Sequence, residues 1–123
     1  MATTALARTH NDIPAAVEKV IGLLGGLDAF LRPGDSVLLK PNLNGGECCT
    51  NIEVTAAVID LLKRHGVKKI MVGESSFGTA AMTDKFFKES GYTDMTSAHG
   101  VPLLNFNRSV RVPLKVKKPL VLE

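Results

Sequence analysis

A chain of 123 residues, 45% hydrophobic and 22% charged, has the size and balance of one folded globular domain. It contains no apolar run of about 18 residues, which excludes a membrane-spanning helix, and its opening MATTALARTHND has no apolar stretch of leader-peptide length. A cytoplasmic protein with no membrane partner is therefore expected.

The pI near 9.0 raises the question of nucleic acid. Position answers it. Residues 1–107 hold ten Lys and Arg against eleven Asp and Glu, a net of −1, whereas residues 108–123 hold five basic and one acidic, a net of +4. The basic excess belongs to the tail and not to a face of the domain, and the phenylalanines sit at apolar positions with no basic ladder for stacking bases. Nucleic-acid binding is not expected. Cys48 and Cys49 are neighbours, too close for normal disulfide geometry, and read as reduced bystander thiols.

In chain order, residues 3–8 read as a weak first strand. Asn11 or Asp12 caps a helix with Pro14 in its first turn, and Ile13, Val17, Val20, Ile21 and Leu24 keep helical spacing up to Gly25. Residues 27–31 suit one further helical turn. Arg32-Pro33-Gly34-Asp35 has the Pro and Gly of a type II turn and leads into a strand over residues 36–40. After a loop over 42–49, Thr50-Asn51-Ile52-Glu53 matches a capping box, and Val54, Ala57, Val58, Leu61 and Leu62 form the apolar stripe of the helix behind it. Gly66 ends that helix, and residues 68–72 (KKIMV) have the short apolar run of a buried parallel strand. A loop over 73–78 precedes a helix over 80–90 with Met82, Phe86 and Phe87 inward. A short helix over 94–98 and a strand over 101–106 follow. Finally Val110, Val112, Leu114 and Val116 alternate with Arg111, Pro113, Lys115 and Lys117, the period of a half-exposed edge strand.

This order predicts an α/β fold: a three-layer, mostly parallel, Rossmann-like sheet with helices on both faces and a basic edge strand at the C-terminus. Residues 1–107 would be the core, and residues 108–123 an edge strand or the truncated end of a longer protein.

The stretch VLLKPNLN, followed by TAAVIDLLKRHGVKKIMVGESS, resembles the family called domain of unknown function 362. Its pattern of a strand ending in Lys-Pro-Asn, a helix ending in Gly and a strand ending in Gly-Asp-Ser falls here on Lys40-Pro41-Asn42, Gly66 and Gly73-Glu74-Ser75, with Glu in place of Asp. Many members are longer and carry an iron–sulfur ferredoxin-like segment. The resemblance implies a portion of a redox or iron–sulfur-associated protein, with no cofactor expected on this portion alone.

Lys40, Asn42 and Asn44 leave one predicted strand, and Glu74, Ser75 and Ser76 leave the next. Parallel strands would bring both sets to one edge, where a lysine facing a glutamate suits a carboxylated or phosphorylated ligand. The competing reading is an ion pair that merely tethers two loops. The segment GESSFGT lacks the lysine of a nucleotide-binding P-loop, and Glu74 would repel phosphate there. His10, His65 and His99 have no spacing suited to a shared zinc site, and no metal site is expected. Three functions stay open: a small-molecule or anion-binding domain, a small enzyme acting on a carboxylated or phosphorylated substrate, or an interaction module that dimerises through residues 108–118, between Arg108 and Lys118.

Overall fold

The computed structural model describes residues 2–43 and 49–113. Four helices and three strands alternate: α1 (Ile13–Leu23), β1 (Ser36–Leu39), α2 (Ile52–Arg64), β2 (Lys69–Glu74), α3 (Ala80–Glu89), α4 (Tyr92–Ala98) and β3 (Leu103–Asn105). Short 3-10 turns occupy Leu27–Ala29 and Phe106–Arg108. The strands form one parallel sheet in the order β1-β2-β3, with Leu38 opposite Met71 and Val72 opposite Leu103. The fold is α/β and Rossmann-like, as the pattern of elements predicts.

Local chemistry sets the boundaries. Asp12 caps α1 by accepting from the Ala15 N–H at 2.9 Å, and Pro14 occupies the first turn, where a missing N–H costs nothing. Gly34, with φ +87°, takes the left-handed position of the turn that delivers β1. Helix α2 carries two apolar faces. Ile59 and Leu62 enter the main core, while Val54 and Val58 meet Ile13, Val17 and Val20 of α1 across a groove. The core gathers Leu43, Ile59, Leu62, Ile70, Val72, Phe87, Tyr92 and Val101, with Val37, Leu39 and Leu103 packed against it.

Strand register divides the sheet into two faces. Val37, Leu39, Ile70, Val72 and Leu103 point into the core, toward residues of α2, α3 and α4. Leu38, Met71, Gly73 and Leu104 point the other way, where Leu38 stays 47% exposed and Leu104 37%. The expected helical cover is thus met on one face by the described helices. The ring of Phe106 lies on the other face, so close to Gly73 that a Cβ built there would stand 2.5 Å from its Cε1.

Several expectations need correction. Residues 3–8 form no strand; the segment has no described partner to pair with. The N-cap of α2 is Asn51, whose Oδ1 accepts from the Glu53 N–H at 2.7 Å, because the Thr50 hydroxyl is engaged by Asn42. β2 runs on through Gly73 to Glu74, which pairs with Asn105, so this part of the expected loop is strand. β3 is shorter than residues 101–106, since Phe106 starts a 3-10 turn. α4 begins at Tyr92, two residues early, behind Gly91 in the left-handed region at φ +78°. Met82 lies 44% exposed, leaving the buried stripe of α3 to Thr83 and Phe87. Residues 109–113 pair with no strand, and the rest of the expected edge strand lies outside the described residues.

Candidate functional site

The end of β1 and the end of β2 deliver Lys40 and Glu74 to the same carboxyl edge of the sheet. Lys40 Nζ donates to Glu74 Oε2 at 2.6 Å. The two side chains differ sharply in setting. Glu74 is 6% exposed, while Lys40 is 61% exposed. The second carboxylate oxygen, Oε1, accepts from the Ser75 N–H at 2.6 Å. Both oxygens of the buried acid are therefore held from within the protein, as a buried charge requires. The lysine ammonium has three donors, and Glu74 takes one.

Lys40, Asn42, Leu43, Glu74, Ser75, Ser76 and Phe77 line a cavity of about 390 Å³ at this edge. Five of the six candidate residues read from the sequence, Lys40, Asn42, Glu74, Ser75 and Ser76, come together here. Asn44 lies outside the described residues. The Asn42 backbone is clamped to the start of α2: its N–H donates to Thr50 Oγ1 at 2.8 Å, and the Thr50 N–H donates back to its carbonyl at 2.9 Å. Leu43 beside it is buried in the core. Cys49 is half-buried against the core, and Cys48 lies outside the described residues.

Behind the cavity stands a polar network that the sequence reading did not single out. Ser76 N–H donates to Thr83 Oγ1 at 3.1 Å, and the two hydroxyls meet at 2.9 Å. Asn107 Nδ2 reaches both Thr83 Oγ1 at 2.9 Å and the Ser76 carbonyl at 3.2 Å. Ser76 thus turns a buried hydroxyl inward and fixes the loop, while Phe77 next to it is exposed at the rim. The available signal was Thr83 itself, a polar residue four positions before Phe87 on the buried stripe of α3.

On the same side, Asn105 Nδ2 donates to the Ala80 carbonyl at 2.8 Å and to Asp84 Oδ1 at 2.6 Å, and Arg108 pairs with Asp84 Oδ2. The hydrogen bond from Arg108, and then that from Asn105, hold the Asp84 carboxyl below its ordinary 3.8. As pH falls past 3.8 the unfolded chain takes up this proton before the folded one does. The contribution of Asp84 is therefore complete above 3.8 and is lost as pH falls through the lower folded value. Urea midpoints measured down this acid range should fall less steeply in Asp84→Asn than in the unchanged protein. Equal slopes would show that Asp84 carries none of the acid sensitivity.

An open parallel sheet with a polar constellation beyond its carboxyl ends defines this as a Rossmann-like α/β protein. The chain belongs to the family described as Domain of unknown function (DUF362), whose model matches residues 37–122. It is 37% identical over 97 residues to the thylakoid-associated protein sll1697 of Synechocystis sp., a match that takes in 75% of this chain. The chain spans 29% of the length of that relative. No solved structure matches the chain. Among the described residues, no helix is long and apolar enough to cross a membrane, and no three His, Cys, Asp or Glu side chains gather as a metal site would require.

Proposed function

We propose that this chain is the anion-binding portion of a longer protein, and that a small carboxylated or phosphorylated molecule binds over Lys40 at the carboxyl edge. One observation carries the reading: the ammonium of Lys40 is anchored by a fully bonded, buried Glu74, yet its side chain remains 61% exposed beside a cavity of about 390 Å³. The anchor fixes the ammonium at one point of the edge. Its remaining donors suit the oxygens of a carboxylate or phosphate, and fixing them in advance lowers the entropy cost of capture. The backbone of Asn42 and the loop at Ser75 and Ser76 supply the walls. On the strength of the family resemblance, the reading extends to a whole protein that is redox-active or associated with an iron–sulfur cluster.

Titration calorimetry with inorganic phosphate and with a short dicarboxylate tests the site. Saturable binding of one of the two, weakened about tenfold or more in Lys40→Met, is the expected result. Equal binding by both proteins would remove Lys40 from the site. Visible charge-transfer absorbance of the full-length protein, purified without air, tests the iron–sulfur extension separately.

A further inference from the structure

Parallel sheets occur almost only with both faces covered, and this one presents Leu38, Met71 and Leu104 on a face that the described helices leave bare. Handedness identifies what covers it. The steps β1 to β2 and β2 to β3 both advance in one direction across the sheet. Right-handed crossovers that advance in one direction place their helices on one face, which is where residues of α2, α3 and α4 enter the core. A further strand beyond β3 would add its helix to that same, already covered face. Only a step back past β1 carries a right-handed crossover over the bare one.

Two observations favour that route. The ring of Phe106, the first residue past β3, lies against Gly73 on the bare face and begins to cover it, although Asn107 and Arg108 bond back to α3. Val110 and Val112, farther along, are 90% and 82% exposed, so their apolar surface is also without cover. Length permits the rest, because the relative from Synechocystis is more than three times as long as the stretch this chain spans.

We propose that polypeptide following this chain in the full-length protein crosses the bare face as a helix over Leu38, Met71 and Leu104. It returns as a parallel strand on the edge of β1 that no described strand pairs, giving the order β4-β1-β2-β3. The direction of strand addition then reverses between β1 and β4. Open α/β sheets hold their ligands at such a reversal, outside the carboxyl ends of the two strands. Here that point is Lys40-Pro41-Asn42. This last step rests on the anion-binding reading and deepens it by placing the Lys40 site at the reversal of strand order.

The test uses the full-length protein. Hydrogen exchange should show every amide of Ser36–Leu39 protected to about the level of the β2 amides, because both edges of β1 are then paired. Leu38→Lys should lower the Tm by about 5 °C or more, while Leu6→Lys, at a position 89% exposed, leaves it within about 2 °C. Alternate β1 amides exchanging as fast as those of loops, or a Leu38→Lys protein as stable as the unchanged one, would overturn the proposal. So would a full-length dimer that Leu38→Lys converts to monomer, since a second copy would then be the cover. If these results hold and Lys40→Met still binds phosphate and dicarboxylate normally, the added strand stands and the anion-binding reading falls.

Discussion

Lys40→Met is expected to lower the unfolding free energy by about 2 kcal/mol, below the 3–5 kcal/mol typical of breaking a buried pair, because Lys40 is itself largely exposed. Methionine keeps most of the apolar stem and removes the charge. Glu74 Oε1 retains the Ser75 N–H, but Oε2 loses the Lys40 ammonium while the carboxylate stays 6% exposed. The cost is that of an uncompensated charge, not of a lost contact. A second change should therefore relieve it. Lys40→Met combined with Glu74→Gln leaves a neutral side chain that can still accept from Ser75, and more than half of the loss should return. Urea unfolding of the three proteins measures this. A single-variant loss under about 0.5 kcal/mol would mean that water reaches Oε2 freely and that the pair behaves as a surface one.

Tyr92→Ala should be the more damaging change, at about 3–5 kcal/mol, because it empties a fully buried ring site in the core. The ring packs against Phe87 at 6.5 Å between centroids, and the hydroxyl does separate work. Its one proton goes to the Thr50 carbonyl at 3.0 Å, so Thr55 Oγ1, at 2.9 Å, donates into the phenol oxygen. Tyr92→Phe removes only these bonds and should cost about 1–2 kcal/mol. The two variants thus separate packing from polar contact. Burial pushes the phenol above its ordinary 10.0, the bond from Thr55 opposing this in part. As pH rises past 10.0 the unfolded phenol ionises before the folded one. The stability that Tyr92 contributes is therefore complete below 10.0 and lost as pH climbs through the raised folded value. Tyr92→Phe should lack this alkaline limb. An unchanged limb in that variant would assign it to another group.

The parts of this molecule legible in the sequence are those whose causes are local. The apolar runs at Val37 and Ile70 become strands, and the 3.6-residue spacing from Val54 to Leu62 becomes α2. The meeting of Lys40 with Glu74 followed from topology, because one crossover helix between two apolar strands makes them parallel. Where a distant partner decides, the sequence misleads. Thr50 and Asn51 are both good caps, and a hydrogen bond from Asn42, eight residues back, claims Thr50 and leaves the cap to Asn51. Ser76, Thr83 and Asn107 assemble across 31 residues of chain, and no local spacing announces them. Phe106 reads as the end of a strand, yet the absence of a side chain on Gly73 draws its ring across the sheet instead.

The reciprocal bonds between Asn42 and Thr50 close a neck just past β1, with Leu43 buried beside it and Cys49 packed against the core. Residues inserted beyond Leu43 and before Cys49 would lengthen an already closed ring. Chain entropy charges little for that, about 0.6 kcal/mol for each doubling of its length. Lys40, on the other side of the neck, keeps its anchor on Glu74 whatever the ring contains. The neck thus sets a border in the chain: changes of length on its far side leave the Lys40–Glu74 pair and the end of β1 as they are.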